Sequence, residues 1–355
     1  MTGPDPFAAE PAPSQRWLSI VGIGEDGVEG LGRGARDLIG NAEIVFGGAR
    51  HLALAAPLIR GVAKPWPSPF SLAPGEVMAL RGRRLCVLAS GDPFFYGVGA
   101  TLIAHVPPEE TWVVPAPSAF SLAAARLGWP LPETTCVSLH GRALDRIRPH
   151  LHPGARILAL TSNADGPAAL ASLLSDTGFG QSRLTVLEAL GGDRERRHTA
   201  EARSFDLTDI AALNTVAVEV AAAPDARILA YTPGLDDDLF DHDGQITKRE
   251  IRAVTLSSLR PQYGELLWDV GAGSGSVGIE WLLADTSLRA IAIEADTGRA
   301  ARAVRNAAAF GVPHLDVLEG RVPQALADLP QPDAIFVGGG GSGDGVFEAC
   351  VAALK

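Results

Sequence analysis

The chain has 355 residues, 46% of them apolar, with a mean hydropathy of +0.15 and a formal net charge of −11. That length calls for two or three domains with sizeable cores, and the acidic balance excludes sequence-independent nucleic-acid binding, which needs a basic face. Three scattered cysteines, Cys86, Cys136 and Cys350, argue against a disulfide framework or a structural zinc site, and no apolar run reaches the ~18 residues that span a bilayer, so a cytoplasmic protein without metal or membrane partner is expected.

Residues 1–15 are polar and Pro-rich, lack the apolar segment of a signal peptide, and read as a disordered tail. From residue 16 short apolar runs alternate with helical patterns. A buried strand is expected over 17–23, then a Gly-rich turn and a helix over 31–39. Further strands are expected at 43–46, 85–89 and 111–114, and helices at 98–105 and 118–127. This alternation predicts βα units on a mainly parallel sheet, a first lobe over 16–128. A second α/β lobe with a mixed sheet is expected over 129–222. Its strands fall at 136–139, 156–161, 184–190 and 215–220, the last two joined as a long hairpin around 191–199. Pro224, the Thr-Pro-Gly turn at 232–234 and an acidic run mark 223–240 as a linker.

A third unit occupies 241–355. Thr247 is the expected N-cap of a helix running to 259, with Glu250 completing a capping box. Strands at 266–270, 289–293, 315–318 and 334–337 then alternate with helices, the layout of a doubly wound sheet. Segment 241–250 also resembles the back half of an EF-hand loop. Aligned on Gly244, however, the first ligand position falls on Leu239, which cannot bind calcium.

The sharpest motif is Asp269-Val-Gly271-Ala-Gly273-Ser-Gly275, between a strand and a helix. Glycines there let the backbone turn tightly and approach a ligand, and the helix start offers free N–H groups. Glu294, about 20 residues on, is placed to accept hydrogen bonds from ribose hydroxyls. A nicotinamide site prefers GxGxxG, and Ser276 stands where its third glycine belongs. Asp269 with the GxGxG spacing instead resembles motif I of class I methyltransferases. That resemblance implies adenine contacts near Gly320 and Arg321, and a methyl-transfer site beside the strand that ends at Gly338 and Gly339.

Three stations recur in the N-terminal half. They are Gly22 and Gly24 at the first strand end, Gly91-Asp92-Pro93 after a later strand, and Ser118 with Ser121 at a helix start. With Thr161 further on, they resemble class III tetrapyrrole methyltransferases, in which the cofactor lies between two α/β lobes. The first loop departs from that family's GxGPG, since Glu25-Asp26 stand where Pro-Gly is usual.

The expected fold is therefore α/β: a two-lobed class III tetrapyrrole methylase fold followed by a Rossmann-like class I methyltransferase fold. The latter is expected to be C-terminally incomplete, because the strands that usually follow its last helix are missing. A class III module fused to a class I module resembles the two-module decarboxylating methyltransferases of corrin biosynthesis. The resemblance implies S-adenosyl-L-methionine as cofactor and an anionic precorrin as substrate. It also implies methylation of two meso carbons coupled to decarboxylation of an acetate side chain. The cofactor residues it implies are Gly91, Asp92, Pro93, Ser118, Ser121, Thr161, Thr247, Asp269, Gly271, Gly273, Gly275, Glu294, Gly320 and Arg321. Candidate substrate contacts are Gly22, Gly24, Arg142, Lys248, Gly338 and Gly339; no catalytic residue is singled out. A homo-oligomer is expected. The competing readings are another two-module tetrapyrrole methyltransferase, a nicotinamide-dependent oxidoreductase and a calcium-binding interaction module.

Overall fold

The computed structural model describes residues 16–355; the tail expected at 1–15 lies outside them. The first sheet is built from β1 (Leu18–Ile23), β2 (Ile44–Gly47), β3 (Val62–Pro65), β4 (Leu85–Ser90) and β5 (Thr111–Val114). All its pairings are parallel, in the order β3-β2-β4-β1-β5. The central strands β1 and β4 read LSIVGI and LCVLAS and are buried almost throughout, as strands covered on both faces must be. The helices are α1 (Arg33–Asn41), α2 (Ala49–Ala55), α3 (Ala73–Met78), α4 (Val98–Leu102) and α5 (Ala119–Leu127). The sequence carries no clear signal for α2, β3 and α3. β3 (VAKP) is an exposed edge with no apolar alternation, and α2 and α3 are too short to show helical periodicity.

The second sheet runs β6-β7-β10-β8-β9 and is mixed. Its strands are β6 (Thr135–Ser138), β7 (Arg156–Leu160), β8 (Arg183–Glu188), β9 (Arg196–Glu201) and β10 (Asn214–Glu219), with α6 (Gly166–Asp176) packed on it. β8 and β10 do pair antiparallel, but β9 begins inside what was expected to be hairpin turn, 191–199, and runs to Glu201. It reads RRHTAE, an exposed edge without the hydrophobic signal on which strand recognition depends.

The third sheet, β13-β12-β11-β14, is parallel. It comprises β11 (Leu266–Val270), β12 (Arg289–Glu294), β13 (Asp316–Glu319) and β14 (Ala334–Val337), with α7 (Arg249–Leu259), α8 (Ser276–Ala284), α9 (Thr297–Ala309) and α10 (Val346–Ala353) around it. The chain order reverses between β11 and β14, which opens a crevice at their carboxyl ends, where such sheets bind ligands.

The expected capping box is not formed. Lys248 is the N-cap of α7, and no side chain caps it. The helix start is instead set by Arg252, which is wholly buried. Its guanidinium donates to Glu280 Oε1 (2.6 Å), to Asp237 Oδ1 (3.0 Å), and to the carbonyls of Leu235 and Thr247. Glu280 also accepts the N–H groups of Gly234 (2.6 Å) and Leu235 (3.0 Å). This buried ion pair ties the linker, α7 and α8 together, and a local capping motif cannot compete with that many charge-assisted bonds.

The N- and C-terminal halves meet at Gly311, whose φ is +78°. A β-carbon there would lie 2.4 Å from Pro149 Cδ and 2.7 Å from the Asp145 carbonyl oxygen. Beside it, Arg227 stacks over the Phe310 ring with 4.3 Å to the centroid.

Candidate active sites

The C-terminal crevice is a cavity of about 420 Å³ lined by the glycine loop, Glu294, Gly320, Phe336, Gly338 and Gly339, and covered by 245–247. Gly271, Gly273 and Gly275 have φ of +67°, +58° and +76°, a left-handed repeat that a side chain would strain. A β-carbon on Gly271 would also lie 2.4 Å from the Gly339 carbonyl oxygen. The glycines at 338–339 thus serve close passage of two loops, where Gly338 N–H donates to Val270 (2.8 Å).

Glu294 is 7% exposed and faces this cavity. One carboxylate oxygen accepts Gly273 N–H (2.8 Å) and the other Asp296 N–H (2.9 Å). Asp269 is buried beneath the loop and accepts Gly278 N–H (2.9 Å), which fixes the start of α8. Burial pushes its carboxyl up to about 7; the Gly278 N–H opposes the shift and the Glu294 charge adds to it.

The cover is held by charge and by one amide. Asp243 pairs with Arg299 (2.8 Å) and Arg302 (3.1 Å), and Asp241 with Arg305 (2.9 Å), all from α9. The acidic run that resembled a calcium loop is therefore neutralised by arginines. Asn306, buried on the same helix, accepts Asp241 N–H (2.9 Å) and donates to the carbonyls of Asp241 and Ser274 (both 2.9 Å). It joins the cover to the glycine loop, a role that nothing in its sequence neighbourhood signals.

The N-terminal cleft lies between the first two sheets and has a volume of about 150 Å³. Gly91 (φ +54°) donates to the Ile23 carbonyl (3.2 Å), and a β-carbon on Gly22 would lie 1.9 Å from Gly91 O. The loops after β1 and β4 therefore touch backbone to backbone. Ser118 caps α5 by accepting Ser121 N–H (3.1 Å), while Asp92 accepts Phe94 N–H (2.8 Å). Leu187, Asn214 and Thr215 from the second sheet form the opposite wall. Where Glu25 departs from GxGPG, it pairs with Arg50, which also donates to Ser90 Oγ (2.9 Å).

Two family models match the chain. One, described as tetrapyrrole (corrin/porphyrin) methylases, matches residues 18–206; the other, described as a precorrin methyltransferase domain, matches 238–355. The chain is 60% identical over 347 residues to a precorrin-6Y C(5,15)-methyltransferase [decarboxylating] of Sinorhizobium sp, which covers 98% of this chain and 84% of that protein. The chain belongs to the precorrin-6Y C(5,15)-methyltransferase family. Two relatives match it in part. A cobalt-precorrin-7 C(5)-methyltransferase of Salmonella typhimurium is 30% identical over 181 residues (51% of this chain, 89% of that one). A probable cobalt-precorrin-6B C(15)-methyltransferase (decarboxylating) of Pyrobaculum calidifontis is 44% identical over 114 residues (31% and 58%).

In this precorrin-methyltransferase chain the candidate residues do not all reach a cleft. Thr247, Asp269, Gly271, Gly273, Glu294, Gly320, Gly338 and Gly339 line the C-terminal cavity, and Gly24, Gly91 and Ser118 line the N-terminal one. Gly275 instead caps α8 and packs against Ala303, and Arg321 is outside the lining. Lys248 Nζ lies 3.7 Å from Asp237. Gly22 in β1, Asp92 and Pro93 in the loop after β4, and Ser121 in α5 lie outside the lining of the N-terminal cleft. Thr161 is buried and donates to Asn214 Oδ1 (2.5 Å), so Asn214 is the member of that pair that faces the cleft. Arg142 lies in a separate pocket between the two halves. The aromatic wall of Phe95, Tyr96 and Phe120 and the Arg50–Glu25 pair were missed, because their partners are remote in sequence.

The raised Asp269 carboxyl has a consequence for ligand binding. A cationic ammonium group beside it stabilises the ionised form, so below about pH 7 such a ligand must displace a proton. The affinity of the full chain's C-terminal site for S-adenosylhomocysteine is expected to rise about tenfold per pH unit from pH 5.5 to 6.5 and to level off above 7. The Asp269→Asn variant should bind weakly with no such slope. The sign for folding is opposite. With its folded pKa above the unfolded value, Asp269 favours the folded ligand-free protein at low pH, and that contribution fades as pH rises from about 4 to about 7. Titration calorimetry across this range checks the slope; a pH-independent affinity in the unsubstituted chain contradicts it.

Proposed function

We propose that the chain methylates carbons 5 and 15 of a precorrin macrocycle and removes carbon dioxide from an acetate arm, with S-adenosyl-L-methionine as methyl donor at both sites. The observation that carries this reading is the presence, in one chain of this family, of two separate glycine-built clefts, one in each half. The partial relatives support a division of labour. A 181-residue match to a C(5)-methyltransferase is too long to fit within 238–355, which favours the N-terminal half for carbon 5. The 114-residue match to a decarboxylating C(15)-methyltransferase is close to the length of 238–355, which favours the C-terminal half for carbon 15.

The C-terminal site suits the cofactor on its own geometry. Each Glu294 oxygen receives one N–H and keeps acceptor capacity for a ribose hydroxyl. Asp269 supplies a carboxylate for an ammonium group, and Gly320 and Phe336 leave an apolar face for an adenine. The bound cofactor supplies an electrophilic methyl group on a sulfonium. The protein's share is to hold a nucleophilic carbon in line with that group and to keep water out, and positioning of this kind carries most of such a reaction. The 245–247 cover serves exclusion, and bare backbone at 338–339 lets a flat macrocycle come close. In decarboxylation the acetate C–C bond breaks, its electron pair enters the conjugated macrocycle, and a proton returns to the product.

The test is product mass from the full chain with precorrin-6Y and S-adenosylmethionine. The expected product has gained two methyl groups and lost one carbon dioxide. Glu294→Ala is expected to cut the methylation assigned to the C-terminal half, and the release of carbon dioxide with it, at least tenfold. A doubly methylated product formed by Glu294→Ala at the unsubstituted rate would refute the assignment.

A further inference from the structure

Between the N- and C-terminal halves lies a further pocket of about 380 Å³. Its near wall is Tyr96, Cys136, Arg142 and Arg146; its far wall is the turn 284–286 after α8, with Gly311 and His314 after α9. The far wall is the end of the C-terminal sheet opposite the glycine loop. The pocket shares no lining residue with the C-terminal cleft, whereas Tyr96 lines both it and the N-terminal cleft. It is therefore an annex of the N-terminal site, walled by the back of the other module.

Its charge is unusual for a chain of net charge −11. Among the described residues, neither Arg142 nor Arg146 takes part in an ion pair within 4.0 Å. The carboxylate nearest in sequence, Asp145, is held by Arg148 (2.7 Å), and Asp285 accepts Ser287 N–H (2.8 Å). Arg142 lies over the Tyr96 ring, 5.5 Å from its centroid. Burial, and then the Arg142 charge, lower the Arg146 pKa; burial, followed by Arg146, lowers that of His314. Two guanidinium groups thus line one pocket with no carboxylate within 4.0 Å of either among the described residues, Asp285 on the far wall being turned to Ser287, and with the weakly basic His314 imidazole on that wall. Arg forks of this kind match carboxylates bidentately. A volume of 380 Å³ is at the small end of ligand pockets, so it suits the side arms of a large ligand rather than its ring.

We propose that this inter-module pocket is an anion site in which Arg142 and Arg146 hold carboxylate arms of a tetrapyrrole seated in the N-terminal cleft, with the back of the C-terminal module as its far wall. The proposal rests on the tetrapyrrole reading above. It makes the C-terminal module a contributor to substrate binding at the N-terminal site, in addition to housing its own. Tyr96 is the hinge between cleft and annex. Its φ is +59°, a conformation uncommon for a bulky residue, and its hydroxyl donates to the Cys136 carbonyl (3.3 Å) on the annex wall.

The test places charge on the far wall. Thr286 is exposed there, on the C-terminal module. Binding of uroporphyrin I, an octacarboxylate, to the full chain is followed by porphyrin fluorescence at low salt, where such attraction is least screened. Thr286→Glu is expected to weaken binding about fivefold and Thr286→Lys to tighten it about threefold. The double variant R142Q/R146Q is expected to weaken it at least tenfold and to flatten its salt dependence. S-adenosylhomocysteine titration of each variant should still give the unsubstituted stoichiometry, which shows that both modules are folded. Equal or same-sign effects of the two Thr286 variants, an unchanged affinity in R142Q/R146Q, or no uroporphyrin binding by the unsubstituted chain overturns the proposal. The probe is not methylated, so this readout stands or falls separately from the methyl-transfer reaction.

Discussion

Gly271→Val is expected to remove the C-terminal reaction while leaving the N-terminal one. Two costs coincide at this position. The backbone sits at φ +67°, which a β-branched residue adopts only with strain of about 1–3 kcal/mol. The new β-carbon would also fall 2.4 Å from the Gly339 carbonyl oxygen, so either the glycine loop or the loop after β14 must move. Both loops line the cavity, and their displacement also breaks the Gly273 N–H bond that orients Glu294. A loss of at least 100-fold in S-adenosylhomocysteine affinity is expected at this site, about 3 kcal/mol. Calorimetry on the full chain should report two equivalents for the unsubstituted protein and one for the variant. With precorrin-6Y as substrate, the variant should also release carbon dioxide at least 100-fold more slowly. Two equivalents with unchanged affinity in Gly271→Val would sink the idea that this loop forms a cofactor site.

Arg252→Met is expected to have the largest effect on stability. The substitution conserves most of the volume but leaves the Glu280 carboxylate buried with only the N–H groups of Gly234 and Leu235. It also deprives the Thr247 and Leu235 carbonyls of a donor. Breaking a buried pair in this way costs about 3–5 kcal/mol. For a module of this size that corresponds to a fall of about 15 °C or more in the midpoint of its unfolding. The N-terminal transition should stay in place, because the network lies wholly on the C-terminal side. Arg252→Lys should recover less than half of the loss, since one ammonium group cannot span Glu280, Asp237 and two carbonyls. Scanning calorimetry of the full chain, with S-adenosylhomocysteine added to shift each transition in turn, distinguishes the two unfolding steps. A shift below about 3 °C would show that the network contributes little.

The two variants separate what the sequence displays from what it conceals. The glycine loop is legible because its requirement is local. A strand, three glycines at alternate positions and a helix occupy a dozen consecutive residues, and each glycine answers to its own φ. Glu294 is legible for a related reason: it ends the next strand, and parallel pairing of β11 with β12 sets it one residue beyond the Val270–Ile293 pair, level with the start of the glycine loop. The Arg252 network is not legible. Arg252 sits on a helix with Glu250 and Arg249 around it and looks like a surface cation. Only the packing of α7 on α8 brings it to Glu280 and buries both. That same packing displaced the expected capping box at Thr247.

The sequence by itself determined the order of the βα units, the central buried strands, the glycine loop and the class of chemistry, because apolar periodicity and backbone freedom are properties of short segments. Tertiary structure alone decided which residues reach a cleft. Asn214 rather than Thr161 faces the N-terminal site, Asn306 ties the cover to the loop, and Arg142 belongs with Arg146 in the space between modules. It also decided that the polar edge β9 is a strand. The physical reasons are distance along the chain and the absence of an apolar signal. Asn214, Asn306 and the pocket around Arg142 have opposite walls or partners far along the chain, which meet only after the cores have closed, and β9 is a polar edge, so a one-dimensional apolar pattern records none of them.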